Sequence, residues 1–393
     1  MGLNEILDRA KTANPNVIMK KMDTDIKRKE KQRALKNYVL PPVNLSDSEE
    51  WEAVKRYGVG TRQFRVSMDV FEGGKSVYGY RILKSQVEMA ENEEILTEIK
   101  AQEEAVNAYF SILNAQKQSE ITTRAIELLK KQRQRNFDLY ENGKILPKSE
   151  YLKIEADIED NNVLNIENQL NEENNRGVLA KLLGYPLDSK IALREFDPEN
   201  YLKDKSEVHD TNNKKIEDTL LAKNEQHKVN IAENTVKIAK ADLYPSINVE
   251  YKREFYEIDD DTKRRKKLND NVVTLGFKWV FEWGGTLDNI QAKKIAYEQA
   301  KVKYDDEIKK ISLDIRNKLN KIKSLYGQSL VMKKRMELLE ESANIDSMRY
   351  ENELLSTFDY LNSVNKYRAA QENYYKTQRD LVLAIIEYEN LYR

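Results

Sequence analysis

The sequence predicts a mainly α-helical protein with a β-barrel part, and three observations support this fold class. Charged residues make up 34% of the 393 residues, against roughly 25% in an ordinary globular domain, and the mean hydropathy is -0.77. Four long segments nonetheless carry apolar residues at helical spacing. Between these segments lie short stretches in which apolar and polar residues alternate, which is typical of strands.

The helical segments are long and highly charged. They are predicted at residues 75 to 142, 147 to 183, 208 to 243 and 285 to 392, the last interrupted near residue 353. In the last segment Ile308, Ile315 and Ile322 recur every seven residues and form a coiled-coil-like seam, which Lys318 and Ser329 interrupt. The first of these helices would be about 100 Å long. A solvated structural coiled coil is therefore the alternative interpretation of these helices.

The alternating stretches each place apolar side chains on one face of an extended strand. In QFRVSMDVFEGG, INVEYKREF and VVTLGFKWVFEWGG this face consists of Phe64, Val66, Met68, Val249, Tyr251, Leu275, Phe277, Trp279 and Phe281. A strand of about ten residues can cross a bilayer at a tilt, so we predict that this face meets lipid. A soluble β-sandwich is the alternative for any one strand.

Strands in a bilayer must close into a barrel, because an open sheet edge leaves backbone amides unsatisfied in hydrocarbon. The strand pairs are predicted within residues 40-72 and 245-283, which gives four strands in one chain. Known barrels begin at about eight strands. Several chains must therefore contribute strands to one barrel, and the protein should be an oligomer.

The two halves of the chain share one order of elements. Residues 1-204 and 205-393 each follow the order helix, strand, strand, helix, helix, so we predict one domain made of two internal repeats. Phe71 to Gly74 matches Phe281 to Gly285, with Trp283 as the one extra residue. Both strand pairs are thus followed by a Gly-Gly exit.

Several short motifs follow one another along the chain: the opening LNEILDRAKTANPNV, the ADLYPS entry to a strand, the Gly-Gly exits, the helix end LLGYP and the RY segment followed by DYL. With these motifs the chain resembles the TolC-like outer-membrane efflux proteins over essentially its whole length. Each pattern is weak alone, but their order and duplication are specific to this family.

The resemblance implies a homotrimer, in which four strands per chain make one twelve-stranded transmembrane β-barrel. Long antiparallel coiled-coil helices would form an α-barrel in the periplasm. The implied function is a passive outer-membrane channel-tunnel for a tripartite efflux pump or a type I secretion system in a Gram-negative bacterium. The implied partners are a periplasmic adaptor (membrane fusion) protein, an inner-membrane RND or ABC transporter, and outer-membrane lipid. The alternative is a periplasmic or surface coiled-coil assembly protein without channel activity.

The resemblance also implies a gate at the periplasmic tip, where helix pairs turn. Of the family pattern R-Y-x-x-G-x-x-x-x-x-D-V-L-D, this chain keeps Arg349, Tyr350, Asp359 and Leu361, whereas Glu353 replaces the glycine and Asn362 the second acid. Three copies of Asp359 around an axis would form a carboxylate ring that favours cations. The alternative is an aspartate that caps a helix. The tip residues expected from the first repeat are Tyr140, Gly143 and Glu150.

The sequence does not predict an enzyme. The two histidines, His209 and His227, are 18 positions apart and the chain has no cysteine, so no zinc-binding spacing is present. Neither a phosphate-binding glycine loop nor a nucleophile elbow occurs. We therefore expect no catalytic residue, metal site or cofactor. The net charge of -1 gives no argument for a nucleic-acid partner.

Overall fold

Long continuous helices and one antiparallel sheet make up the structure. The computed structural model describes residues 1–51, 58–143, 146–189, 191–196, 201, 215–258, 265–267 and 271–392. In chain order the main elements are α1 Leu3–Ala13, α2 Pro15–Val39, β1 Val43–Trp51, β2 Gly58–Phe71, α3 Lys75–Gly143, α4 Lys148–Leu182, α5 Leu220–Ala241, β3 Ser246–Ile258, β4 Arg265–Lys267, β5 Asn271–Lys278, α6 Gly285–Glu351 and α7 Thr357–Glu389. The predicted fold class, mainly α with antiparallel strands, is confirmed.

The sheet has the neighbour order β1, β2, β3, with β5 and the short β4 both on the far side of β3. All pairs are antiparallel, and the register aligns Val43, Val66, Tyr251 and Val273 in one row across four strands. Residues directly opposite one another share a face. In the described part of the chain, β1 and β5 each pair on one side only.

All four junctions between a helix and a main strand lie at the same end of the strands. The register places Phe71 opposite Ile247 and Ser246 opposite Lys278 at this end. Between β2 and α3, Gly73 has a φ of +63°, and a Cβ there would lie 2.7 Å from the carbonyl oxygen of Ala241. Only glycine allows both this backbone conformation and this close approach to the end of α5.

The chain folds into two compact units. The sheet unit comprises Met22–Asn92 and Leu220–Lys310, and the helical unit comprises Met1–Lys21, Glu93–Thr219 and Ile311–Arg393. The helical unit has its own apolar core, to which α1, α3, α4 and α7 contribute fully buried side chains. They include Ile6, Val106, Tyr109, Ile112, Leu129, Leu179, Val382 and Ile385. Burying one such side chain stabilises the fold by about 1.5–3 kcal/mol.

One predicted helix boundary differs from the structure. The third helical segment was predicted from residue 208, but α5 begins at Leu220, and before it Ile216–Asp218 form a single 3-10 turn. Residues 208–214 and the repeat boundary predicted at 204/205 lie outside the described residues. None of the described helices combines the length and the apolar composition that a bilayer-spanning helix needs.

Candidate gate and lipid-facing surface

The predicted gate motif lies at the turn between α6 and α7. The backbone N–H of Leu354 donates to the carbonyl of Arg349 at 2.8 Å, and that of Glu353 donates to the carbonyl of Tyr350 at 3.0 Å. These two bonds form a Schellman motif, which normally has glycine at its left-handed position. Here Glu353 has a φ of 62° and is the one non-glycine residue with positive φ among those described. Such a conformation costs a non-glycine residue about 1–2 kcal/mol.

Two tyrosines of the motif region stack on each other beneath this turn. Tyr350 and Tyr360 are 2% and 1% exposed, and their ring centroids lie 4.5 Å apart with an interplanar angle of 5°. The hydroxyl groups of Tyr350 and Thr357 are 3.1 Å apart and share a hydrogen bond. Burial raises the pKa of Tyr350 and raises that of Tyr360 to about 12. The pair packs in a cluster with Ala125, Ile126, Leu129, Ile154, Ile158 and Val364.

Asp359 lies in the first turn of α7, where Ser356 is the N-cap. The Ser356 hydroxyl accepts a hydrogen bond from the Asp359 backbone N–H at 3.1 Å and donates one to Asp359 Oδ2 at 2.7 Å. An acidic group is also favoured at this position by the helix dipole. Within this chain, Asp359 therefore has the geometry of an exposed residue at the start of a helix. Arg349 is likewise exposed and pairs with Asp346 on its own helix at 3.5 Å.

A second set of charges joins α3 to the end of α6. Lys131 Nζ lies 2.9 Å from Glu351 Oε1, and Arg135 Nη1 donates to the Glu351 carbonyl at 2.6 Å. Arg135 also lies 3.7 Å from the Glu353 carboxylate. The hydrogen bond from Lys131 lowers the pKa of Glu351. These residues hold α3 against the strained turn that follows α6.

The corresponding turn in the predicted first repeat connects α3 to α4. Gly143 is the last residue of α3, and the next two residues lie outside the described ones. Tyr140 packs against Tyr151 with ring centroids 5.5 Å apart. Glu150 is in the first turn of α4 and pairs with Lys153 at 3.1 Å. Aromatic packing and a local ion pair thus define this turn.

A cavity of about 530 Å³ brings together residues of both turns. Glu150 and Asn362, which were predicted separately from the two repeats, both line it, together with Asp157 and Lys153. Burial and the nearby Asp160 raise the pKa of Asp157. The cavity has a mixed lining of apolar and polar side chains, and it contains two carboxylates beside one ammonium group. Within the described part of the chain, no group of three or more His, Asp and Glu side chains could hold a metal ion.

Sequence reasoning found the tyrosine at position 350 but missed Lys131, Arg135 and Glu351. Lys131 and Arg135 contact Glu351 across sequence separations of 220 and 216 residues. The only local signal is the spacing of Lys131 and Arg135, which puts both cations on one face of α3. That signal does not identify the partner helix.

The predicted lipid-facing residues that lie within the strands share one face of the sheet. Met68, Val249 and Leu275 form one row, parallel to the row that contains Val66 and Tyr251. On the outer strand the exposure is large, with Leu275 at 73% and Phe277 at 66%. Phe64 contacts Tyr251 edge to face, with centroids 6.1 Å apart. The opposite face carries polar side chains, among them Arg65 at 3.5 Å from Glu250.

Two of the predicted strand residues lie beyond the strand. β5 ends at Lys278, so Trp279 and Phe281 follow it, at 61% and 72% exposure. The reason is on the neighbouring strand, where β3 begins at Ser246 directly after Pro245, which has no N–H to donate. Trp279 and Phe281 nevertheless lie directly after β5, between the strand and the start of α6.

Comparisons with known proteins show which proteins this chain is similar to. Residues 221–390 match the family model described as outer membrane efflux protein. No curated protein matches the sequence.

Solved structures match nearly the whole chain. The Campylobacter jejuni CmeC outer membrane channel is 18% identical with a TM-score of 0.76, over 99% of this chain and 85% of that one. The Neisseria gonorrhoeae MtrE outer membrane channel, in its open state, is 16% identical with a TM-score of 0.72, over 99% and 88%. The Vibrio cholerae outer membrane protein VceC is 15% identical with a TM-score of 0.72, over 99% and 96%.

These matches confirm the resemblance to the TolC-like family. At such low identity the structural likeness shows the fold, and the family model adds a match to an efflux protein domain at residues 221–390. The predicted outer-membrane location and the predicted lack of enzymatic activity agree with the family model that residues 221–390 match, which is described as outer membrane efflux protein.

Proposed function

We propose that this chain, which carries an outer membrane efflux protein domain at residues 221–390 and has the fold of outer-membrane channels, forms a passive homotrimeric conduit for export. Three chains would combine their strands into one transmembrane barrel. Their helices would enclose the periplasmic part of the path. A partner transporter would supply the energy for export.

One observation carries the proposal most directly: the apolar rows of the sheet are exposed. Val43, Val273 and Leu275 are 61%, 70% and 73% exposed, and Trp283 is 95% exposed. A contiguous apolar surface of this kind on a protein marks an interaction with another protein or with a membrane. Along most of β2, β3 and β5 these rows alternate with mainly polar rows, as a wall between lipid and water requires.

The unpaired edges support assembly with further copies. In the described residues β1 and β5 each leave one side of the ladder open, and an open edge is not tolerated in hydrocarbon. The strand directions alternate across the sheet, so β5 of one copy and β1 of the next would again run antiparallel. A ring of copies therefore closes without changing the pairing pattern, and three copies supply twelve main strands.

The partners we propose are those that such a conduit needs. A periplasmic adaptor would contact the helices around the two tip turns, and an inner-membrane transporter of the RND or ABC type would deliver the substrate. The tip residues Arg349, Tyr350, Asp359, Asn362 and Glu150 would form the gate region. We propose that Lys131 and Arg135 contribute to the same region by holding the end of α6.

The first test is the mass of the unheated protein extracted from outer membranes in mild detergent, after the detergent contribution is subtracted. We expect three times the 46.0 kDa of one chain. A monomer or dimer that is soluble without detergent would contradict the conduit and favour the coiled-coil assembly protein. The aromatic face would then be a protein interface.

A matched pair of variants tests which face meets lipid. Val272 and Val273 are neighbours on opposite faces of β5, opposite Lys252 and Tyr251 respectively. Val273→Asp should block insertion, because a charge near the bilayer midplane costs up to a few kcal/mol. Val272→Asp should insert normally, since its carboxylate faces Lys252. Equal behaviour of the two variants would contradict the assignment of faces. Leu275→Asp with Phe277→Asp should strengthen the defect.

A further inference from the structure

One exposed face of α2, here called the seam, changes from apolar to cationic side chains along the helix. Met22, Ile26, Lys29, Arg33, Lys36 and Leu40 follow one another at alternating spacings of four and three, which places them on one face. All six are exposed. The seam is apolar in its first part and cationic over the last turns before β1. Three cations at such positions cannot pack against an apolar helix and must meet water or anions.

The basic character is concentrated in this part of the helix. Residues 27 to 36 contain six Lys or Arg and a single acid, Glu30, which pairs with Lys27 at 2.8 Å. The side chain of Arg28 extends towards α3, where it pairs with Glu91 at 2.8 Å. Among the described residues, neither Arg33 nor Lys36 has a carboxylate within ion-pair distance. The outer face of this segment is therefore a patch of uncompensated positive charge.

Contacts with α3 place this patch at the end of the sheet. Thr24 Oγ1 donates to the carbonyl of Ala90 at 3.3 Å, and α3 begins at Lys75, directly after β2. Because α2 runs antiparallel to α3, each step forward from Thr24 on α2 corresponds to one step back from Ala90 on α3. Lys36, twelve residues after Thr24, therefore lies level with about Tyr78, roughly 5 Å from the start of α3. By the same count Arg33 is about 9 Å and Lys29 about 15 Å from that level.

We propose that Lys29, Arg33 and Lys36 form a binding surface for anionic phospholipid headgroups of the leaflet that borders the helices. This inference rests on the proposed insertion of the sheet into a membrane. The headgroup layer adds about 5–8 Å beyond the hydrocarbon on each side. Long basic side chains extend several ångströms further towards it. Lys36 and Arg33 therefore reach the phosphates, and Lys29 lies at the limit of their range. The exposed apolar residues Tyr38, Val39 and Leu40 lie between the cations and β1, as expected for a helix end that enters the interface.

The test uses the tryptophans at the same end of the sheet as reporters. Trp279 and Trp283 follow β5 there, and Trp51→Phe removes the only other tryptophan of the chain. The trimer is reconstituted into phosphatidylcholine membranes that contain brominated phosphatidylglycerol or brominated phosphatidylcholine, and quenching gives the relative association of the two lipids. We expect phosphatidylglycerol to be preferred by about fivefold for each charge that reaches the surface, and less at high salt.

The triple variant Lys29→Gln, Arg33→Gln and Lys36→Gln should remove most of this preference. Among single variants, Lys36→Gln should lower it most and Lys29→Gln least. The control variant Lys303→Gln, Lys321→Gln and Lys323→Gln removes three exposed lysines of α6 and should keep the preference.

The outcomes separate this inference from the proposed function. Equal quenching by both brominated lipids, in the protein that keeps Lys29, Arg33 and Lys36, would overturn the proposed lipid-binding surface and leave the proposed conduit intact. Absence of quenching by either lipid would overturn both proposals. A triple variant that keeps the lipid preference but loses the trimer mass would show that the cations contact a second copy of the chain, which also overturns the inference.

Discussion

Tyr350 and Tyr360 stack almost in parallel, 4.5 Å apart, although they lie on different helices joined by a tight turn. One precedes the strained residue Glu353 and the other follows the cap at Ser356. The stack fixes α6 and α7 relative to each other, because both rings are buried in one apolar cluster. The predicted gate motif thus contains a structural element as well as charged groups.

Loss of the stack should destabilise the helical unit. Replacing Tyr360 by Ala removes a buried aromatic ring, and such changes cost about 3–5 kcal/mol. Tyr360→Phe is the matched control, since it keeps the ring and should cost less than about 1.5 kcal/mol. Guanidinium unfolding of the detergent-solubilised protein, followed by circular dichroism, measures both. Similar midpoints for Tyr360→Ala and the unsubstituted protein would contradict a structural role for the stack.

Stability should also fall at alkaline pH. Burial raises the pKa of Tyr360 from 10.0 to about 12 and also raises that of Tyr350. The folded state therefore binds more protons than the unfolded state between these values. The contribution of Tyr360 to stability is complete below pH 10 and is lost as the pH rises through about 12. Unfolding free energies measured from pH 8 upward should decrease less steeply for Tyr360→Phe. Identical pH profiles would contradict this assignment.

The turn at Glu353 was partly predictable from the sequence. The family pattern has glycine there, and the backbone of this chain keeps the left-handed conformation that glycine would adopt. The compensating contacts to Arg135 were not predictable, because they depend on how α3 packs against the end of α6. Propensity and periodicity report on local structure, and they contain no information on which of several similar charged helices will be neighbours.

Replacing Glu353 by glycine should stabilise the protein. Glycine removes a backbone strain of about 1–2 kcal/mol, and the lost ion pair with Arg135 is exposed and contributes at most about 1 kcal/mol. We expect a net gain of up to about 1 kcal/mol in the free energy of unfolding. Glu353→Ala is the control, because it removes the ion pair but keeps the strain and should destabilise. A glycine variant no more stable than the alanine variant would contradict the strain.

The strands were predicted more fully than the helix ends. Alternation alone placed Val66, Tyr251 and Leu275 on one face, because the two-residue period of a strand leaves only two choices for each side chain. The end of β5 was placed too late, since strand length depends on the partner and β3 begins only at Ser246. The start of α5 was placed too early for a similar reason, because apolar spacing continues through the short 3-10 turn.

The charge of the gate can be tested at Asp359, for which two interpretations remain from the sequence. If three copies form a carboxylate ring, Asp359→Asn should lower the cation-to-anion permeability ratio of the reconstituted channel, because the ring loses its three charges. If Asp359 serves only to stabilise the start of α7, the permeability ratio should stay constant. Asp359→Asn should then lower the free energy of unfolding by about 0.5–1 kcal/mol, because the carboxylate that accepts a hydrogen bond from Ser356 Oγ and interacts with the helix dipole is removed. Asp346→Asn is the matched control, because it removes an acid that pairs with Arg349 on the same helix. We expect the permeability ratio to fall for Asp359→Asn alone, and an equal fall in both variants would assign the effect to general tip charge instead of a ring at Asp359.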